Sequence, residues 1–176
     1  IGTANGLSCF NPETEQFKNF YKSYGLPTNK VNAKFSTITD DGQLFIPTTS
    51  GIIIFNPENV YSSSLEPRIV FTDFKVDGKK LVIDPESSPL KSDISLTKEI
   101  TLSYSQNDLS ISFAALHYDD AQKNQYEVFM ENDDENWRNI GNQNTVEYTN
   151  MSPGSYNFKV RASNSDGVWN TTGISL

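Results

Sequence analysis

Apolar and polar residues alternate with a period of two along most of the chain. The alternation is clearest at residues 15–21, 34–38, 108–116, 125–131 and 155–163. This period places every second side chain on the same face of a β-strand. Turn-forming sequences separate the segments, and Asp77-Gly78 is typical of a tight hairpin because both residues tolerate a positive φ. No segment has the spacing of an amphipathic helix, so the pattern predicts an all-β protein.

The chain divides into two regions with different patterns. Residues 1–64 contain an internal repeat, and the serines at 62–64 followed by Pro67 are typical of a boundary. Residues 65–176 contain no copy of the repeat and show about seven short strands, which fits an immunoglobulin- or fibronectin III-like β-sandwich. Large aromatic side chains are available to pack between its two sheets: Phe113, Tyr126, Trp137, Tyr148, Tyr156, Phe158 and Trp169.

The repeat consists of IGTANGLSCFNPE at residues 1–13 and IPTTSGIIIFNPE at residues 46–58. Ile, Thr, Gly, Phe, Asn, Pro and Glu recur at equivalent positions, and a spacing near 45 residues is in the range of β-propeller blades. We predict blade strands near 15–21, 31–38, 43–46 and 52–55, with Gly6 and Gly51 at sharp turns. One blade cannot bury both of its faces. Residues 1–64 are therefore expected to be the C-terminal blade or blades of a larger propeller, in a processed or excised piece.

Charge and cysteine content restrict the function further. The formal net charge is -8, and the Lys and Arg residues are scattered, which argues against a nucleic-acid partner. The single cysteine, Cys9, excludes an internal disulfide. Because Cys9 occupies the position of Ile54 in the second repeat, it is predicted to be a small buried apolar residue. No apolar run reaches the roughly 18 residues of a membrane-spanning helix.

The N-terminal region resembles the two-component regulator propeller repeat. The resemblance rests on NGLSCFNPETEQFKNF, GLPTNKV and DDGQLFIPTTSGIIIFNPE, set against a G-x-L-W-I-G-T-x-x-G-L pattern followed by an F-N/D-P turn. Phe45 replaces the usual tryptophan and Pro47 the usual glycine, as expected of a terminal blade. Residues 102–118, 124–137 and 146–169 resemble the triple-tyrosine (Y_Y_Y) domain that follows such propellers. The resemblance implies the periplasmic sensor region of a bacterial hybrid two-component regulator, with a membrane helix and a histidine kinase downstream.

Polar candidates for chemistry are few. His117 is the only histidine, so a triad of the usual type cannot be built. Its place in an alternating segment predicts a strand-end or interface residue, whereas a phosphoacceptor histidine lies on a helix. Two acidic runs could supply oxygen ligands for calcium or a carboxylate pair for glycoside hydrolysis, but solvated turn residues are favoured. These runs are Asp119-Asp120 and Asp133-Asp134-Glu135.

Aromatic residues are the other candidates. Trp137 followed by Arg138 could suit a glycan-binding site, but packing in the sandwich core is favoured. For Trp169, which follows a turn, both interpretations stay open. Tyr148 and Tyr156 flank a turn, and a tyrosine in such a place often donates a hydrogen bond back across the corner. The sequons at Asn150 and Asn170 matter only in a glycosylating host.

Together with these features, the resemblance implies a non-catalytic sensor segment of a histidine kinase that acts in signal transduction by phosphorelay. No catalytic, cofactor-binding or metal-binding residue is assigned, no cofactor is expected, and no ligand-binding residue is predicted. A glycan ligand is expected mainly on propeller blades outside this chain. Unpaired strand edges favour a homodimer or a strand-exchanged oligomer. The alternatives are a secreted or surface carbohydrate- or protein-binding module without a kinase, and an accessory domain of an enzyme.

Overall fold

The computed structural model describes residues 1–12, 15–22, 25–31, 33–60, 63–84 and 86–176. These residues form antiparallel β-strands and short 3-10 helices, which confirms the predicted all-β fold. The chain divides into two compact units, residues 1–62 and 63–176. Within the described part of the chain, no helix has the length and apolar character needed to cross a membrane.

The N-terminal unit contains two three-stranded antiparallel sheets. Their strands are β1 (Gly2–Thr3), β2 (Gly6–Asn11) and β3 (Gln16–Phe20) in one sheet, and β4 (Thr37–Ile38), β5 (Leu44–Thr48) and β6 (Gly51–Phe55) in the other. Val31 connects them, because its N–H donates to Thr3 O at 3.1 Å and it forms a bridge with Thr48. A small core contains Leu7, Val31, Ile46 and Ile53.

The strand predicted over 31–38 is wrong as a continuous element. A 3-10 helix at Ala33–Phe35 separates the Val31 bridge from β4, and residue 32 lies outside the described residues. The side chains of Lys34, Phe35 and Ser36 are exposed. The alternation in this segment therefore has no core to face, and the segment is free to leave the extended conformation.

The two sequence repeats form the same hairpin. Thr3 Oγ1 donates to Gly6 O at 2.9 Å, and Thr48 Oγ1 donates to Gly51 O at the same distance. Each threonine Oγ1 also accepts from the N–H two residues later, at 3.1 Å in both copies. Both glycines have positive φ, 106° and 132°, where a side chain would be strained. The repeated Thr and Gly thus specify one turn geometry.

The two hairpins bury opposite faces. Leu7 is buried, whereas its repeat equivalent Ile52 is 62% exposed, and in the second copy Ile53 on the other face is buried instead. Because neighbouring strand residues point to opposite faces, one face of the first hairpin packs against the reverse face of the second. The outward faces remain apolar, with Ile52 and Ile54 on one and Phe10 on the other.

The prediction that Cys9 is buried is wrong. Cys9 is exposed, and its repeat equivalent Ile54 is 52% exposed. Cys9 lies on the same face of β2 as Leu7, but it is one pleat closer to the strand end and outside the small core. Equivalence in sequence therefore predicts the backbone position of Cys9 correctly and its burial wrongly.

The C-terminal unit is a β-sandwich, which confirms the predicted fold of this region. Its strands are β7 (Arg68–Val76), β8 (Lys79–Lys80), β9 (Leu109–Leu116), β10 (Gln125–Glu131), β11 (Arg138–Gly141), β12 (Thr145–Tyr148), β13 (Asn157–Ser163) and β14 (Trp169–Ser175). One sheet has the order β12-β9-β7-β8 and the other β11-β10-β13-β14. Alternate residues of β9, β10 and β13 fill the core, among them Phe113, Val128 and Val160, which are all 0% exposed.

The two repeat glycines provide a matched test of backbone contact. A Cβ added to Gly6 would lie 2.3 Å from the carbonyl oxygen of Phe20, whereas a Cβ added to Gly51 would meet no atom within 4 Å. Both substitutions carry the strain of positive φ. We therefore expect Gly6→Ala to destabilise the N-terminal unit by about 1–3 kcal/mol more than Gly51→Ala.

Hydrogen exchange of the β2 and β5 amides in the intact chain measures this difference. Tryptophan fluorescence is unsuitable because Trp137 and Trp169 both lie in the C-terminal unit. Equal loss of protection in the two variants would contradict the contact with Phe20.

Candidate functional site

The incoming chain is held to the sandwich by the turn between β13 and β14. The Nδ2 group of Asn164 donates to Ser63 O at 3.0 Å and to Leu65 O at 2.9 Å. Its Oδ1 accepts from the N–H groups of Asp166 and Val168, both at 2.9 Å. Asn164 is 1% exposed. Both N–H groups of the Asn164 amide and its oxygen are therefore paired. This one side chain fixes both the turn and the incoming segment.

Two further side chains hold the same segment. Asp166 Oδ2 accepts from Ser63 N at 2.7 Å, and Asn170 Nδ2 donates to Pro67 O at 2.9 Å. Asn170 Oδ1 in turn accepts from Gly173 N at 3.0 Å. Backbone groups of residues 63–67 are thus paired with side chains in place of a neighbouring strand. We call this arrangement the linker clamp: Ser63, Leu65, Pro67, Asn164, Asp166 and Asn170.

Leu176 lies at the opposite end of the sandwich from the linker clamp. Asn164 follows β13 directly, whereas Phe158, near the start of β13, exchanges two backbone hydrogen bonds of 2.9 Å with Leu176. The seven residues of β13 separate the two ends by roughly 20 Å at about 3.3 Å per residue. Buried side chains therefore hold residues 63–67 at one end of the sandwich, and strand pairing holds Leu176 at the other.

A second feature covers the outer face of the β11-β10-β13-β14 sheet. Trp137 lies there, with its ring centroid 5.7 Å from that of Phe129 and 4.4 Å from the guanidinium carbon of Arg161. Trp137 is 36% exposed, so the prediction that it packs in the core is wrong. It precedes β11 at the end of the β10–β11 turn, and the turn places the ring over the outer face of the sheet.

Ion pairs flank the Trp137 ring on this face. Arg161 Nε lies 2.6 Å from Glu127 Oε2, and Lys159 pairs with Glu131. The hydrogen bond from Lys159, with a second from Asn157, lowers the pKa of Glu131. Each cation is thus neutralised by a carboxylate on the facing strand. We call the group of side chains around the ring the Trp137 platform: Glu127, Phe129, Trp137, Asn139 and Arg161.

His117 lies directly after β9, which confirms the prediction of a strand-end residue. It is 8% exposed, and its Nε2 lies 3.4 Å from Asp119 Oδ2. Its backbone carbonyl accepts from Asn124 Nδ2 at 3.3 Å. These contacts connect the end of β9 to the start of β10.

The acidic runs have mixed roles. Asp119 is exposed and Asp120 pairs with Lys123 at 3.2 Å, as turn residues do. Asp134 is not a solvated turn residue, contrary to the prediction. Its carboxylate accepts from Met130 N at 2.8 Å and from Tyr148 Oη at 3.1 Å, and it holds the β10–β11 turn. Among the described residues, no three His, Cys, Asp or Glu side chains are grouped as metal ligands.

The remaining candidates are Tyr156, Trp169 and the two sequon asparagines. Tyr156 Oη donates to Ser152 O at 2.9 Å, which confirms the predicted corner. Trp169, for which both interpretations were open, is partly buried in β14 opposite Ser163. Asn150 is exposed. The Asn170 amide is occupied by the linker clamp.

No pattern in the sequence predicts the contacts that the linker clamp makes. Asn164 precedes an Asp-Gly pair, and this spacing predicts a turn closed by a side chain. Its bonds to residues 63 and 65 join positions about 100 residues apart in the chain. Pairs at such separations are not visible in one sequence.

Comparisons with known proteins agree with this architecture. Residues 117–176 match the Y_Y_Y domain, which confirms the resemblance for the C-terminal region. Histidine kinase P4 of Formosa agariphila is 27% identical over 170 residues, which are 97% of this chain and 12% of the kinase.

Solved structures share the fold. The extracellular domain of a protein assigned as a hybrid two-component system in B. thetaiotaomicron aligns with a TM-score of 0.73 and 24% identity, over 98% of this chain and 23% of that one. The extracellular domain of a protein assigned as a one-component system in the same organism aligns with a TM-score of 0.58 and 22% identity, over 99% and 23%. This chain therefore spans less than a quarter of each of these relatives.

The burial of Tyr148 predicts a distinct titration. Burial of its hydroxyl, together with the nearby Asp134 carboxylate, raises the pKa of Tyr148 to about 12 despite the neighbouring Arg138. The hydroxyl group of Tyr148 loses its proton near pH 10 in the unfolded chain. The raised pKa in the folded state therefore contributes its full stabilisation of the fold below about pH 10. This stabilisation is lost as the pH rises to about 12.

Absorbance titration of the tyrosinates should show a step near pH 12 that Tyr148→Phe removes. The matched control is Tyr104→Phe, at a position that is 86% exposed, and this variant should leave the step in place. Persistence of the step in Tyr148→Phe would contradict the assignment.

Proposed function

We propose that this chain, whose residues 117–176 match the Y_Y_Y domain, belongs to the periplasmic sensor region of a hybrid two-component histidine kinase. Its role is to pass a conformational change from ligand-binding blades toward the membrane. The segment itself performs no catalysis. The similarity to a histidine kinase and to extracellular domains of signalling proteins supports this function.

The linker clamp carries the proposal. A relay must move as one body, because a flexible joint would dissipate the displacement before it reached the far end. The clamp ties residues 63–67 to the β13–β14 turn with buried hydrogen bonds, and Leu176 is paired at the other end. In the proposed relay, the sandwich carries a rotation or translation of the incoming segment to Leu176.

The exposed faces of the N-terminal unit support the proposal that further blades lie beside it. One face of its first hairpin packs against the reverse face of its second hairpin. The outer faces carry exposed apolar residues such as Phe10, Ile52 and Ile54. More repeats on either side would cover these faces. In the proposed sensor a glycan binds mainly on those blades, and ligand binding changes how the sandwiches of a homodimer are arranged. The ligand must therefore favour one arrangement over the other.

The test is to read the coding sequence on both sides of this chain. The sensor function predicts further repeats of about 45 residues upstream. Downstream it predicts an apolar span of about 20 residues followed by a kinase. A stop codon shortly after Leu176 would contradict it and favour a secreted or surface-displayed binding module.

The linker clamp can be tested in the chain itself. Asn164→Asp retains the oxygen acceptors of the turn but turns a carboxylate toward Ser63 O and Leu65 O, which both lose their donor. We expect a loss of about 2 kcal/mol or more in the free energy of unfolding, measured by urea unfolding with tryptophan fluorescence. Thermolysin should also cleave faster at Leu65, whose backbone the clamp holds.

Asn142→Asp is the control. Asn142 also donates through Nδ2 to one carbonyl, that of Gln122 at 3.2 Å, but at an exposed site. Its substitution should change the stability by no more than about 0.5 kcal/mol. Equal effects of the two substitutions would show that the clamp does not hold the incoming segment.

A further inference from the structure

We infer that the Trp137 platform is a binding site for an uncharged sugar ring. The site belongs to the sandwich alone and does not depend on the proposed relay. Four features support it: an open aromatic face, a ring held in place before binding, the absence of other exposed apolar surface on the sheet, and balanced charge.

One face of the Trp137 ring is open. Phe129 and Arg161 alternate along their strands with the buried residues Val128 and Val160, so both project from the outer face of the sheet. The Trp137 ring contacts both of them and therefore lies across that face. Its 36% exposure fits an indole with one face against Phe129 and Arg161 and the other face open. A flat aromatic face of this kind can accept the C–H face of a pyranose.

The ring is held in place before any ligand binds. The guanidinium group of Arg161 lies 4.4 Å from the ring centroid, and the same group is paired with Glu127 at 2.6 Å. A stacked and ion-paired arginine has little freedom to move away from the indole. Because the ring is already ordered, binding loses little side-chain entropy, and even a weak stacking contact yields measurable affinity.

The size of the apolar surface favours a sugar over a protein. All four strands of this sheet are described, and none of their large hydrophobic side chains is exposed. Trp137, beside β11, is therefore the one exposed large ring on this face, and it lies against the half-buried Phe129 among charged and amide side chains. A stable protein interface needs roughly 800 Å² from each partner with an apolar centre. One indole is about the size of one pyranose ring.

The charges of the platform select against ionic ligands. Arg161 is neutralised by Glu127. A charged sugar would have to break this pair, whereas a neutral sugar needs only hydrogen bonds at the rim. Asn139 supplies one, because Gly141 N donates to its Oδ1 at 2.9 Å and holds the amide in place, while its Nδ2 has two N–H groups and makes only a long contact of 3.5 Å with Glu127 Oε1.

The test is a titration of the ¹⁵N-labelled chain followed through the two indole N–H signals. The neutral probes are cellotetraose and β-1,4-galactotetraose, and the charged probe is tetragalacturonate. Trp137→Phe and Trp169→Phe assign the signals. We expect a neutral probe to shift the Trp137 signal saturably with a Kd of about 1 mM, the Trp169 signal to stay in place, and tetragalacturonate to bind at least about ten times more weakly.

Variants connect the shift to the platform. Trp137→Ala should abolish binding, measured by saturation transfer to the sugar, while Lys159→Ala, which removes an ion pair elsewhere on the same face, should retain it. The proposal is overturned if neither neutral probe moves the Trp137 signal at about ten times that Kd. It is also overturned if Trp137→Ala binds as well as the original chain. Shifts that follow protein concentration without sugar would assign the face to self-association instead.

Discussion

The buried amide of Asn164 is the constraint on which the C-terminal unit depends. An amide in a nearly inaccessible site must pair both its donor and its acceptor atoms, because an unpaired polar atom there costs about 1–3 kcal/mol. Asn164 meets this requirement only when the β13–β14 turn and residues 63–67 are both in place. The turn and the incoming segment therefore order together, and displacement of one must move the other or break buried hydrogen bonds.

The N-terminal unit obeys a different constraint, which is the stacking of equivalent hairpins. The same Thr–Gly turn occurs twice, but Leu7 is buried and Ile52 is exposed because the copies pack face to reverse face. This stack leaves apolar side chains such as Phe10, Ile52 and Ile54 exposed on its outer faces. The sandwich differs, because its two sheets cover each other and its outer faces carry charged pairs. The two units thus differ in how much of their apolar surface they cover themselves.

Local patterns predicted most of the fold and little of the candidate site. Alternation located β9, β10 and β13, and the Thr and Gly of the repeat located both hairpins, because these signals arise within a few residues. Burial of Cys9, exposure of Trp137 and the structural role of Asp134 depend on elements distant in sequence, and all three were predicted wrongly. The Asn164 contacts span about 100 residues and have no local signal.

Hydrogen exchange of the linker clamp amides tests the central claim that the incoming segment and the sandwich form one body. The informative amides are those of Ser63, which donates to Asp166, and of Val168, which donates to Asn164. If the clamp opens only when the sandwich unfolds, their exchange should match the free energy of opening measured at Val160 in the core. Exchange of Ser63 and Val168 through a much smaller opening, with Val160 still protected, would show that the linker moves independently and would contradict the account.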